Sequence, residues 1–439
     1  MKLRTAARML ALTGVAAASV AAFGQTHESW ANRYYLTAGR MNRPNQMAMD
    51  SQGNLLVATT CSDGTYGDIV LLKYNPGGTL LWTARYNGSA GKDDGATGLV
   101  LDSEGNAYLS GYTEVNGKYS EMLALKFDAN GNKVWESTYG LDGELYDAAR
   151  TISLDPSGNV YISGPSDDGS WNFTKDYATL KIDPQGVRQW VRRYPAANAG
   201  FNLFRQVVDS AGNVYLACDT RPNGPNGQDI LLVKYDTNGF QKWVRSWNSG
   251  PSMHDVPLTL TMESTGNIVV VGRTGPSQWA SNGGVVLKYN PIGELIFTNT
   301  NTGSPEANAS PSSGVLDSAN NLYVVGQIPN SSNQYRGYIT RYNASGEVAW
   351  SRVFDDPDSP SDQMRLIRLD QFGGVYIAGD TFRTASDRDF HVVKYNRDGD
   401  YLWQRRYNSP NNAGDYTIDM LVDGYGNVHL TGECDRQGG

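Results

Sequence analysis

One ten-residue phrase, DPSGNVYISG at 155–164, returns in altered form seven more times. Its copies begin at Asp50, Asp102, Asp155, Asp209, Glu263, Asp317, Asp370 and Asp423, spaced 52, 53, 54, 54, 54, 53 and 53 residues apart. A fixed period of this length means one supersecondary unit copied along the chain. A unit that small buries its apolar faces only by stacking on its neighbours. The repeat therefore restricts the chain to a repeat architecture.

Residues 147–194 show what one period contains. DAARTISLD, GNVYISG, DYATLKID and RQWVRRY are four β-rich runs. We label them strands A to D. DPSG joins A to B, and DPQG joins C to D. In both joints Asp accepts backbone hydrogen bonds, Pro suits the second place of a type I turn, and Gly takes the left-handed conformation of a tight hairpin. The C–D joint keeps its glycine in all seven copies: Gly78, Gly131, Gly186, Gly239, Gly293, Gly346 and Gly399. The A–B joint departs once, at Asn320, the non-glycine type that best tolerates positive φ. Strand D carries Trp30, Trp82, Trp135, Trp190, Trp243, Trp350 and Trp403, with Phe297 in the remaining place. Rings repeated at one position are expected to fill the wedge between neighbouring sheets rather than to bind ligand. The 49 Gly and 26 Tyr fit an all-β chain.

Four-stranded antiparallel sheets with a period of about 53 residues define a β-propeller. Strand D and the A–B hairpin each occur eight times. Strand C occurs seven times, marked by Lys73, Lys126, Lys181, Lys234, Lys288, Arg341 and Lys394. The chain opens on a lone strand D near Trp30 and closes on an A–B hairpin. The expectation is an eight-bladed ring whose closing blade is shared between the termini and lacks strand C. Seven blades is the alternative, and it leaves a hairpin and a strand over.

The pattern D-x-x-G-N-x-Y-x-x-G followed by K-Y-[ND]-x-x-G-x-x-x-W resembles the secreted seven-bladed-type β-propeller repeats, the SBBP repeats. The resemblance covers about residues 29–439 and implies an exported propeller. It implies no activity. The Gly-His and Trp-Asp signature of WD40 repeats is absent from these phrases, and the C–D turn is one residue shorter than in quinoprotein repeats, so no quinone cofactor follows.

The N-terminus has a different character. Lys2, Arg4 and Arg8 precede the apolar run MLALTGVAAASVAAF, with Ala22 and Gly24 suitably placed for cleavage. This reads as a signal peptide over residues 1–24, followed by one propeller domain over 25–439. The expected destination is secreted, periplasmic or cell-envelope, with no membrane insertion after cleavage. Loss of three basic groups and no acid takes the net charge from −8 to −11. That excludes a basic nucleic-acid footprint and disfavours anionic membrane surfaces. Cys61, Cys218 and Cys434 are too few for a disulfide framework. Cys61 and Cys434 occupy the same place in the first and last repeats, so either a closing disulfide or free thiols fits.

In a propeller the A–B and C–D turns share one face, and the B–C loops and D–A connections share the other. Here the first set is nearly constant and the second varies, which places any binding on the second. Its aromatics Tyr66, Tyr119, Trp171, Trp279, Tyr335 and Phe382 are candidate ligand-binding residues. The alternative is packing onto the next blade. Asp94, Asp147, Asp255, Asp362 and Asp415 recur eight residues before their A–B turn acids. They are candidate Ca²⁺ ligands around an axial channel, or caps for free backbone N–H groups; no other cofactor is expected. His254 with Asp255 is the one pair to inspect for general-base chemistry. HExxH, GxSxG, P-loop and CxxC motifs are absent. The leading expectation is a monomeric, exported, non-enzymatic propeller binding a protein or glycan through its variable loops. A polysaccharide lyase or hydrolase with an axial site, and a purely structural envelope module, are the alternatives.

Overall fold

The computed structural model describes residues 8–12, 15–19, 28–32, 34, 42–62, 64–116, 119–143, 145–167, 175–195, 205–221, 227–277, 283–300, 308–329, 332, 334–384, 387–409 and 414–434. The chain divides into two compact units. One comprises Met1–Thr65, Val70–Thr83 and Thr302–Gly439, the other Tyr66–Ile69 and Ala84–Asn301.

Seven four-stranded antiparallel sheets, each in the order A-B-C-D, are the blades of an all-β propeller. The first unit holds most of blade 1 (Asn42–Tyr86), with blades 6 (Ser310–Phe354) and 7 (Ser361–Tyr407). The second holds blades 2 (Asp94–Tyr139), 3 (Thr151–Tyr194), 4 (Arg205–Trp247) and 5 (His254–Asn299). Strands B and C are buried almost throughout, while strand D is half-exposed. This explains why B and C are runs of Val, Ile and Leu and why D alternates with polar residues.

Seven blades correct the expectation of eight. Strand C bridges B to D, and the sequence contains only seven strand-C runs, so only seven sheets have four strands. The remaining hairpin, Asp415–Val422 with Val428–Cys434, forms its own two-stranded sheet. It packs on blade 1, where Asp419 Oδ2 accepts from the Met47 N–H at 2.9 Å and Glu433 meets Arg43 at 3.3 Å. Trp30 and Tyr34 pack on the same blade core as Leu421. Arg8–Leu12 and Val15–Ser19, within the expected signal peptide, pair as a short antiparallel hairpin. Among the described residues no helix is long and apolar enough to cross a membrane.

Both joints fold as their chemistry dictates. In blade 3 the Gly158 N–H donates to the Asp155 carbonyl at 2.9 Å, and Gly158 has φ +77°. Asn320 takes the same conformation at φ +63°. The C–D ladders shift register just beyond the strand-C Lys or Arg, as at Lys181/Ile182 and Lys394/Tyr395. A type I turn followed by a left-handed glycine produces such a bulge.

In blades 2, 3 and 4 the strand-D tryptophan fills the wedge to the next blade. Trp135 Nε1–H donates to the Pro184 carbonyl of the next blade at 3.1 Å, Trp190 to Thr237 at 3.0 Å, and Trp243 to Pro291 at 3.1 Å. The arginine two residues on repeats the lesson: Arg192 Nε–H reaches the Gly239 carbonyl at 2.6 Å and Arg245 reaches Gly293 at 2.6 Å. All three cysteines are buried free thiols.

Candidate functional site

The constant end of each blade is occupied by its own scaffold. In blade 7 the turn acid Asp370 accepts from the N–H groups of Phe372 at 2.9 Å and Gly374 at 2.6 Å. Its other oxygen accepts from the Tyr376 hydroxyl at 2.9 Å and meets Lys394 Nζ at 3.4 Å. That ammonium also lies 4.4 Å from the Tyr376 ring centroid. Burial pushes Asp370 upward, but the hydrogen bonds and Lys394 outweigh it and hold the carboxyl below its ordinary value. The Asp, Tyr and Lys of the repeat phrase thus form one closed network inside a blade. Their joint recurrence in the sequence was the available signal for it.

At the opposite end the recurring strand-A acids act locally. Asp94 Oδ2 accepts from the Gly88 N–H at 2.6 Å, Asp255 from Ser249 at 2.7 Å, Asp362 from Asp356 at 3.0 Å and Asp415 from Ser409 at 2.7 Å. Each donor stands six residues earlier, in the D–A connection. A hydroxyl across the A–B pair supplies a second donor, Thr381 Oγ1 to Asp362 at 2.6 Å and Ser166 to Asp147. Burial raises Asp94 and Asp415 to about 6. These contacts are those of backbone caps. Among the described residues, one group brings three side chains within ligand reach, Asp356, Asp362 and His391, and it contains one of the five acids. An all-oxygen Ca²⁺ cage does not fit it, because one of its three donors is an imidazole.

The ends of the B–C loops are pinned to the D–A connections. Ser120 pairs in parallel with Tyr146, and Gln228 with His254. The Ser120 N–H donates to Leu145 at 3.2 Å, and the Asp147 N–H donates back to Ser120 at 3.1 Å. Similar ties run from the Gly67 N–H to Asp93 Oδ1 at 2.6 Å and from the Tyr335 N–H to Ser361 Oγ at 3.0 Å.

The candidate aromatics separate on this frame. Tyr66 and Tyr119 are 41% and 42% exposed. Tyr119 stacks on Tyr146, itself 50% exposed, with centroids 4.3 Å apart and planes 3° from parallel. Tyr335 is half-buried. Phe382 is buried beneath Arg388, whose guanidinium lies 4.6 Å from both the Phe382 and Tyr416 rings, so it packs rather than presents a surface. Trp171 and Trp279 lie outside the described residues. Tyr146 was missed in the sequence because it belongs to a D–A connection, and the aromatics were sought in the B–C loops.

His254 and Asp255 do not form a dyad. Adjacent residues on a strand point to opposite faces. The imidazole Nδ1 meets Gln228 Oε1 at 2.9 Å, while Asp255, fully buried, takes the Ser249 hydroxyl at 2.6 Å.

No known protein-family profile matches the chain. A curated WD repeat-containing protein of Acanthamoeba polyphaga mimivirus is 21% identical over 83% of this chain, which spans 31% of that protein's length. Among solved structures, puromycin hydrolase aligns with TM-score 0.51 and 13% identity, over 89% of this chain and 58% of its own. The β-propeller domain of the Trilobed protease of Pyrococcus furiosus aligns with TM-score 0.47 and 10% identity, over 86% and 98%. At these identities the likenesses concern the fold alone.

Proposed function

We propose that the chain is an exported, non-enzymatic propeller that holds a protein or glycan partner on the loop ends of its blades. The observation that carries this reading is the Tyr119–Tyr146 stack. Two large rings are kept half in solvent while their backbones are locked to each other through Ser120. Neither ring adds to a blade core. A rigid aromatic pays little entropy on binding and offers a broad apolar face to a sugar ring or a peptide. Propeller and WD-repeat folds commonly serve protein interactions, and the repeat phrase resembles a secreted family. The basic, then apolar, then small-residue start supports export.

The test is a glycan array and a pull-down from envelope and secreted fractions, run with the chain from residue 25 onward and with its Tyr119→Ala/Tyr146→Ala form. A ligand held by the first and weakened at least about tenfold in the second, at equal melting temperature, supports the reading; losing an aromatic anchor costs on the order of 2 kcal/mol. Ligands held equally by both, or by neither, remove it.

A further inference from the structure

In blade 7 the position three residues before the strand-C lysine is His391. The equivalent places elsewhere hold Val70, Leu123, Ala178, Leu231, Val285 and Tyr338, none of them an imidazole. His391 is 0% exposed, and neither ring nitrogen has a hydrogen-bond partner. A buried polar group left unpaired costs about 1–3 kcal/mol. The ring lies between two buried carboxylates, with Nδ1 3.8 Å from Asp362 Oδ1 and Nε2 4.0 Å from Asp356 Oδ2. One ligand atom from each of the three lies within 4.8 Å of the other two. Asp356 is also the exception among the capped positions, since Gly88, Ser249 and Ser409 bear no charge at that place.

We propose that Asp356, Asp362 and His391 bind one first-row divalent cation, with zinc the fitting choice. One imidazole and two carboxylates form a mixed nitrogen–oxygen set of the kind that suits zinc, whereas calcium takes six to eight oxygens. Ligands about 2.0–2.2 Å from a tetrahedral metal stand roughly 3.4 Å apart. Spacings of 3.8 and 4.0 Å, and of at most 4.8 Å within the group, close onto that geometry by contractions of roughly 0.4–1.4 Å. Charge favours the ion. Among the described residues, the cation paired with these carboxylates is Arg406, on Asp356. With a neutral imidazole the two carboxylates therefore keep one unbalanced negative charge. Phe354 closes the ring's edge at a centroid distance of 5.1 Å and keeps bulk water from the site. The ion ties the connection before blade 7 to that blade's strands A and C.

The experiment uses untagged full chain, stripped with chelator and titrated with zinc. Metal content is read by mass spectrometry and stability by melting temperature. The expected result is about one zinc per chain, a raised melting temperature, and loss of both in His391→Gln and Asp356→Asn. His391→Gln is the informative variant because it removes no hydrogen bond. If the variants do not fold, cobalt in the wild-type chain decides: strong visible bands of four- or five-coordinate cobalt support the site, and the weak spectrum of the hydrated ion overturns it. No zinc uptake, or equal uptake by wild type and variants, overturns it.

Discussion

At the residue scale, blade stacking is set by glycines that sit under tryptophans. Gly239 has φ +78°, and a Cβ there would lie 2.9 Å from Trp190 and 3.0 Å from Arg192 Nε. Gly91 has φ +60°, and a Cβ there would meet nothing within 4 Å. Alanine pays the left-handed penalty of about 1–2 kcal/mol at both. Only at Gly239 must it also displace the inter-blade tryptophan, which adds about 1–3 kcal/mol of overpacking. Gly239→Ala should therefore unfold in urea well before Gly91→Ala. Equal midpoints would mean that the Trp190 contact yields freely. The sequence reading placed both partners, because Gly239 and Trp190 occupy fixed places in the period, Phe297 once standing for the tryptophan. It did not pair them, because one belongs to the blade after the other and periodicity says nothing of contacts across that step.

At the scale of elements, strands A are the weak part of each blade. Their ladders shift register midway, at Pro44/Gln46, Ala96/Gly98, Pro257/Thr259, Pro311/Ser313 and Met364/Leu366. A proline has no N–H to give a ladder and is at home in such a bulge. Among the described residues of blades 3 and 4, strand A is Thr151–Leu154 and Arg205–Val208, four residues each, against eight and seven in strand C of the same blades. In blade 3 the stretch before Thr151 is an isolated bridge, Asp147 to Ser166, with irregular backbone bonds from Ala148 to Pro165 and from Arg150 to Ser163. Few ladder bonds mean cheap local opening. The amides of Thr151–Leu154 and Arg205–Val208 should exchange at least about tenfold faster than those of strands C, about 1.4 kcal/mol less protected. Uniform protection across a blade would refute this. Sequence alternation revealed the strands but not their bulges, since a bulge changes pairing and leaves composition untouched. The loop ties were hidden for the same reason: Ser120 and Tyr146 are joined by backbone groups that every residue carries.

At the scale of the whole molecule, the two ends of the chain act on one blade. Trp30 stacks on Tyr74 at 6.3 Å, and Asn32 donates to the Gly78 carbonyl at 2.5 Å. This is the place that Trp190 and Arg192 take on Gly239 in blade 4. From the other end, Leu421 packs on the same core and Asp419 bonds the Met47 N–H across a sequence separation of 372 residues. The lone strand D and the surplus hairpin were both visible in the repeat count. What the count could not decide was whether they build another blade. Without a strand C between them they serve instead as two lids on the core of the first blade. Lids on one core are not independent. Trp30→Ala should cost about 2 kcal/mol, less than the 3–5 typical of a fully buried tryptophan, because Trp30 is only partly buried. Leu421→Ala should cost a similar amount or less. Once either is gone the Met47, Val57 and Tyr74 cluster has already loosened, so the second loss should cost less than it does alone. The double variant should fall short of the sum of the single effects by at least about 0.5 kcal/mol in urea unfolding, the range found for residues that share partners. Additivity within a few tenths of a kcal/mol would show that the two ends stabilise the blade separately.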